Sequence, residues 1–404
     1  MKLKLVINSN NDDYKLFKTT MTTVAQLRKT AILRFTSNRL VVISTPRTVS
    51  SGAVLTGDQG QLWCTIPKDV FLLYNIASIR EENTIAMECQ CDSLVSVLKR
   101  YDRCNHGDLT IKLQSMPEWN PAKVTNNQDH EDNADNNKSN GHQKNPICAL
   151  GCTFSEYLDL QETSKIVSHS FKVGVRLLYN SQDAKIQEPM VNYTKLLMFQ
   201  LPPVNGEYGS KFSNFIKRLD RYVTLNHLII YGDRNAGNDG GGHLRLLVHE
   251  LYWKLDVQWC GPLETIETND ASNGGEQQGQ KHALPATLSR RNSALQRHGE
   301  SMRIDDSEVD GDRFSFSHDS LDDTTNPTTA DTAEDYKNKV FIKAKDWKVC
   351  SKLYESFEEV VLAISHDESC VLHCSLDRGT VDESPDQPRE RGQIIYYMAR
   401  SKPL

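Results

Sequence analysis

An α+β fold assembled from a repeated strand–helix–strand unit is predicted, and two stretches at opposite ends of the 404-residue chain carry the prediction. In 340–376 a short β-prone run at 340–344 precedes a helix. Its apolar residues Trp347, Cys350, Leu353, Phe357 and Val360 recur at steps of three and four, with Asp346 as the expected N-cap. The runs 361–365 and 370–376, separated by His366-Asp367-Glu368, read as a hairpin. Residues 2–43 show the same order. A strand at 2–7 leads to a helix over 12–29, with Leu16, Phe17, Met21, Val24 and Leu27 inward. Strands at 32–35 and 40–43 then flank Ser37-Asn38. One unit used at both ends indicates internal repetition.

Between these ends the pattern recurs twice. Strands are expected at 61–66 and 84–89, with 70–74 packed behind Pro67. Asp92 then caps a second helix with Leu94, Leu98 and Tyr101 inward, and 109–113 is the strand leaving it. The sheet resumes at 147–154. Further strands fall at 167–178 and 195–201. A third helix spans 208–222, with Phe212, Phe215, Ile216, Leu219 and Tyr222 inward. Strands follow at 228–231 and at 244–259, the latter in two bent pieces, and a last strand at 393–400. The expected organisation is an N-terminal domain at 1–154, a connector at 155–166 and a C-terminal domain at 167–404. Two polar stretches without apolar period, about 118–145 and about 263–338, read as disordered insertions.

Composition agrees. Only 38% of residues are hydrophobic, low for a chain of this size, because the polar insertions dilute an ordinary core. Net charge is -6, but 263–338 holds 16 acidic and 7 basic residues, so the remainder is net +3. The ten cysteines form no paired framework and no secretory segment opens the chain. No apolar run approaches the roughly 20 residues of a membrane span. A soluble protein of a reducing compartment is expected.

The helices differ from ordinary solvated helices in their polar faces. Lys15, Lys18, Thr22, Gln26 and Lys29 lie opposite the apolar stripe of the first. Lys99, Arg100 and Arg103 do so on the second, and Lys211, Lys217, Arg218 and Arg221 on the third. On the fourth, Lys348 and Lys352 give way to Glu355 and Glu359. Three basic faces of four, in an acidic chain, point to phosphate contacts without base readout, and hence to salt-dependent, sequence-independent binding.

Catalytic and metal chemistry find little support. Cys89-x-Cys91, Cys148-x3-Cys152 and Cys370-x2-His373-Cys374 lack paired CxxC knuckles and suit buried small hydrophobes, so neither a metal nor another cofactor is expected. His366 and Cys370 have only proximity to recommend them as a nucleophile pair. Gly240-Gly241-Gly242 lacks the Lys-Ser/Thr of a phosphate loop and reads as a turn. A nuclease would need clustered carboxylates, and the acidic residues lie mostly in the insertions. Arg290-Arg291-Asn292-Ser293 has the form of a basophilic kinase site at Ser293.

Long stretches also resemble a known family. They include LRKTAILRFTSNRLVVISTP from Leu27, GQLWCTIPKDVF from Gly60, MECQCDSLVSVLKRYDR from Met87 and TIKLQSMPEWN from Thr110. QEPMVNY from Gln187, KDWKVCSKLYESFEEVVLAISHDESCVLHCSLDRG from Lys345 and RERGQIIYYMARSK from Arg389 continue the series. The chain resembles the Hus/Mec-type subunit of the checkpoint sliding clamp, the nine-one-one complex, and looks most like its fungal Mec-type branch. The resemblance covers nearly all of the chain outside the two insertions. It implies a DNA-clamp fold like that of proliferating cell nuclear antigen, with two domains, outer sheets and four inner helices. It implies a nuclear, non-catalytic subunit that forms a heterotrimeric ring with two other clamp-type subunits. A dedicated clamp loader would place the ring on double-stranded DNA with recessed ends, where it would help activate a checkpoint kinase complex; no membrane is involved. On this resemblance, 109–113 and 370–376 belong near the two subunit boundaries. A homotrimeric replication processivity clamp, which shares the fold, is the alternative.

Overall fold

The computed structural model describes residues 1–8, 12–44, 60–80, 82–104, 107–116, 147–160, 163–222, 225–234, 242–266, 338–376 and 392–401. The insertion expected at 118–145, most of that at 263–338, Ser293 and Gly240-Gly241 lie outside these residues.

The first half begins with β1 (Lys2–Ile7), where Leu3, Leu5 and Ile7 alternate inward with Lys2 and Lys4 outward. Asp12 and Asp13 open α1 (Asp12–Leu27), at the end of the helix where negative charge is favoured. Its Leu16, Phe17, Met21 and Val24 are buried. The strands β2 (Thr30–Phe35), β3 (Arg39–Ser44), β4 (Gln61–Pro67), β5 (Leu73–Ala77) and β6 (Ile85–Gln90) follow. Then come α2 (Cys91–Tyr101), β7 (Leu109–Ser115), β8 (Ile147–Leu160) and β9 (Thr163–Leu177).

The chain then crosses to the second half through 178–196, which carries the short α3 (Asn180–Asp183). Here β10 (Leu197–Gln200) precedes α4 (Gly209–Lys217), which a 3-10 turn (Arg218–Arg221) extends. β11 (His227–Asp233), β12 (His243–His249), β13 (Lys254–Trp259), β14 (Glu264–Ile266) and β15 (Lys339–Lys343) come next. α5 (Ala344–Ser356), β16 (Val360–Ser365), β17 (Ser369–Leu376) and β18 (Gly392–Tyr397) complete the set.

The two halves are copies. One sheet runs β14-β10-β16-β17-β18-β4-β3-β2-β6-β9-β8-β7-β1-β5 and the other β13-β12-β11-β15. The first half therefore contributes β5-β1-β7-β8-β9 and β6-β2-β3-β4. The second contributes β14-β10-β16-β17-β18 and β15-β11-β12-β13, in the same order. Each half has one helix after its first strand and one after its sixth. The halves join where β18 pairs with β4, from Tyr397 opposite Gln61 to Gln393 opposite Thr65.

All four long helices cover the same apolar side of these sheets. Tyr14 meets Tyr101 edge-on with ring centroids 5.1 Å apart, and Phe212 meets Trp259 at 4.8 Å and Tyr354 at 5.2 Å. The crossing segment lies on the opposite face. Arg34 donates from Nε to Asp183 (2.9 Å) and from Nη2 to the Ile186 carbonyl (2.9 Å), and Arg80 also pairs with Asp183 (3.1 Å). Tyr397 donates to Glu188 at 2.7 Å. One carboxylate of the crossing segment thus pairs with two largely buried guanidinium groups of the first half.

Several expectations need correction. Residues 155–166 are not a plain connector: they form the outer part of the β8–β9 hairpin, paired out to Leu160 opposite Thr163, and the crossing falls at 178–196. The strands at 109–113 and 370–376 are not sheet edges. β7 lies between β1 and β8, and β17 between β16 and β18, because neighbours from the same half satisfy both sides of each. Asp92 and Asp346 are not N-caps. Each strand runs straight into its helix, so the cap position falls on Gln90 and on Lys343. Asp346 turns inward instead and accepts from the Ala399 N–H (2.8 Å) and the Tyr396 hydroxyl (2.9 Å). The insertion expected from 263 begins later, since Leu263 is buried and β14 pairs with β10. The stretch 244–259 does fall in two pieces, β12 and β13, and these pair with each other as a hairpin.

His373 on β17 is buried against the crossing segment, 5.8 Å from the Tyr193 ring centroid, and neither ring nitrogen has a partner among the described residues. Burial pushes its pKa down to about 4. The unfolded chain therefore takes a proton that the folded chain refuses, and stability falls as pH drops from about 6.5 towards 4. His373→Leu is expected to remove this acid sensitivity. Urea midpoints compared between pH 7 and pH 4.5 should show the variant gaining on the wild type at the lower pH; an unchanged difference refutes the assignment.

Candidate nucleic-acid interface

α1 packs on α2, α4 packs on α5, and α1 also meets α5, so the helices form one layer. The spacing that buries one side of each helix leaves its cations on the other. Lys15 on α1, Lys29 just after it, and Lys99, Arg100 and Arg103 at the end of α2 are exposed. So are Lys211, Lys217, Arg218 and Arg221 on α4 and its 3-10 turn, and Lys352 on α5. Lys18 and Lys348 are half-buried. Cations in the last turn of α2 and α4 also suit the negative end of each helix.

The structure divides these twelve residues. Two bridge the helix seams. Lys18 pairs with Asp102 at 2.7 Å, and Tyr14 donates to the same carboxylate at 2.6 Å. In the second half Lys217 pairs with Glu355, which also accepts from the Ser213 hydroxyl at 3.0 Å. Burial pushes the Glu355 carboxyl up, but the hydrogen bonds from Lys217 and Ser213 outweigh it and hold the group below its ordinary value. Burial, then the Asp102 hydrogen bond, keep the Tyr14 hydroxyl protonated. Each copy of the fold thus spends one lysine on joining its two helices. Lys211 lies over the Tyr208 ring at 5.7 Å. Among the described residues, Lys15, Lys29, Lys99, Arg100, Arg103, Arg221, Lys348 and Lys352 make no ion pair.

One further exposed cation belongs to this layer and is missing from the sequence-predicted set. Lys345 lies in the first turn of α5, which starts at Ala344, two residues before the cap expected at Asp346. The cysteines of the three sequence clusters lie in the interior. Cys89, Cys91, Cys148, Cys152, Cys370 and Cys374 are buried free thiols, and burial pushes Cys91 and Cys152 up to about 12. His366 stays exposed while Cys370 is buried, which separates that pair chemically. No helix among the described residues is long and apolar enough to cross a membrane.

A duplicated fold with sheets on one side and four helices layered on the other defines a DNA-clamp subunit. The chain matches the Hus1-like protein family over residues 1–402 and belongs to that family. It is 65% identical over 407 residues to the DNA damage checkpoint control protein MEC3 of Eremothecium gossypii, and 45% identical over 483 residues to the protein of that description in Saccharomyces cerevisiae. Both alignments span the whole of each chain.

The Lys217–Glu355 pair is largely solvated, with side chains 46% and 38% exposed. A double-mutant cycle of Lys217→Met and Glu355→Gln is expected to give a coupling of about 0.2–1 kcal/mol in urea denaturation. A coupling above about 2 kcal/mol would show that the pair stabilises the helix seam rather than merely orienting the lysine.

Proposed function

We propose that this chain is one non-catalytic subunit of a heterotrimeric DNA-damage checkpoint clamp, acting in the nucleus. The ring surrounds DNA with its helix layer inward, is placed at recessed ends by a dedicated loader, and helps activate a checkpoint kinase complex. The observation that carries this reading is the exposed, unpaired cation set on one helix layer in a chain of the Hus1-like family. The full-length relatives described as DNA damage checkpoint control proteins support the checkpoint role.

The fold's duplication suggests where partners attach. Within the chain, the fourth strand of the first copy (β4) pairs with the ninth of the second (β18). Their counterparts, β13 and β9, each keep an open side among the described residues. β13 ends its sheet, and β6 covers β9 only from Val175 to Leu177. An unpaired edge is an aggregation hazard unless another chain covers it. Repeating the β4–β18 joint between chains pairs β13 of one subunit with the β9-type strand of the next. Two different neighbours then meet two different edges.

Charge reversal tests the lining. Lys99→Glu, Arg103→Glu and Arg221→Glu should each weaken retention on DNA and flatten the salt dependence by about 0.9 units of slope for each phosphate no longer neutralised. Lys18→Glu should do less, since Asp102 already engages that lysine. Equal salt slopes in wild type and in the folded triple variant would sink the lining assignment.

Proline substitution tests assembly. Of two successive strand residues, one points its N–H outward. The outward member of Val257 or Gln258 in β13, changed to proline, should cost one partner subunit in co-purification. The outward member of Val167 or Ser168 in β9 should cost the other. Loss of the same partner by both variants contradicts the two-edge scheme. Recovery of a homotrimer by native mass measurement replaces the checkpoint reading with that of a processivity clamp.

A further inference from the structure

We propose that Cys104, Glu156 and His169 form a zinc-binding site that ties the end of α2 to the β8–β9 hairpin. They are 52 and 13 positions apart in sequence, and they come from three elements. Cys104 lies in the turn after α2, Glu156 on β8 and His169 on β9. Their ligand atoms all lie within 4.8 Å of one another. The Cys104 thiol donates to Glu156 Oε2 at 3.5 Å, and His169 Nε2 stands 2.7 Å from the same oxygen.

These distances are close to what zinc needs. Ligands about 2.0–2.3 Å from a tetrahedral zinc ion stand about 3.3–3.8 Å apart. The Cys104–Glu156 separation already fits, and the His169–Glu156 separation must open by only about half an ångström. A thiolate, an imidazole and a carboxylate are a borderline-soft set that suits zinc and disfavours magnesium and calcium. Three protein ligands leave a fourth position for water, as in open zinc sites.

The surroundings hold the ligands in place. The Cys104 N–H donates to the Tyr101 carbonyl at 3.0 Å, and the Tyr101 hydroxyl donates to the Gly107 carbonyl at 2.6 Å, which fixes the turn. The His169 ring stacks on Phe154 at 5.1 Å, with 25° between planes. The His169 and Glu156 side chains are 17% and 24% exposed, so an ion has a path in. Burial and the neighbouring Glu156 raise the Cys104 thiol above its ordinary pKa, against the smaller opposing pull of the Arg100 charge. Metal binding therefore releases the thiol proton and strengthens with rising pH. None of this depends on the ring or on DNA.

The test is titration of zinc chloride into the chelator-treated full chain, against Cys104→Ser and His169→Asn. One saturable equivalent is expected in the wild type, bound at least tenfold more weakly in each variant. Cobalt chloride should give a thiolate-to-cobalt charge-transfer band in the wild type that Cys104→Ser abolishes. His169 is only part-buried, so His169→Asn remains informative if Cys104→Ser fails to fold. Absence of a saturable equivalent, or equal affinity in wild type and His169→Asn, leaves Glu156 and His169 as a hydrogen-bonded pair only and overturns the site.

Discussion

The antiparallel joint between β4 and β18 is the contact on which the rest of the molecule depends. It links two copies of one fold into a continuous sheet and so sets α1 beside α5. The joint is reinforced from the helix side. Tyr396 of β18 donates to Asp346 of α5, and Asp346 also accepts from the Ala399 N–H. Burial raises the Asp346 pKa, while these two hydrogen bonds work against that rise. Gly60 lies against the same place, where a side chain would collide with the Tyr396 hydroxyl and with Asp346. Glycine there follows from packing rather than from a turn.

Duplication also explains the electrostatics of the helix layer. In each half the first helix supplies a lysine and the second helix, or the turn after it, supplies a carboxylate across the seam. Among the described residues, Lys15, Lys29, Lys99, Arg100, Arg103, Arg221, Lys348 and Lys352 make no such ion pair. A chain with net charge -6 can therefore present a basic surface, because its acid is concentrated elsewhere in the sequence. The crossing segment solves a related problem on the other face, where Asp183 pairs with Arg34 and Arg80 at once.

Much of the fold is legible in the sequence because helices sort their residues by local spacing. Leu94, Leu98 and Tyr101, or Phe212, Phe215 and Ile216, fall on one face whatever the sheet does, and all are buried. The cations opposite them are legible for the same reason. Their pairing is not, since Asp102 and Glu355 reach Lys18 and Lys217 only once the helices pack. The outer β8–β9 hairpin reads as a connector because Ser155, Glu156, Ser164 and Lys165 show no alternation: this part extends beyond β7 and has little core to face. Sheet edges are hard to place because a strand's neighbours are chosen by long-range pairing, which leaves no mark on 109–113 or 370–376. The Cys104, Glu156 and His169 grouping is invisible for a similar reason, as no spacing rule spans three separate elements.

The β4–β18 joint also bears on how the protein is made. β4 is synthesised well before β18, the strand that covers it. On the order of 300 residues separate the two, so at about 5–20 residues per second β4 waits roughly 15–60 s for its partner. During that interval the nascent first half exposes a strand edge carrying Leu62, Cys64 and Ile66, residues that are buried in the finished molecule. Until β18 arrives, that edge is an aggregation hazard, and slow synthesis of the second half lengthens the exposure.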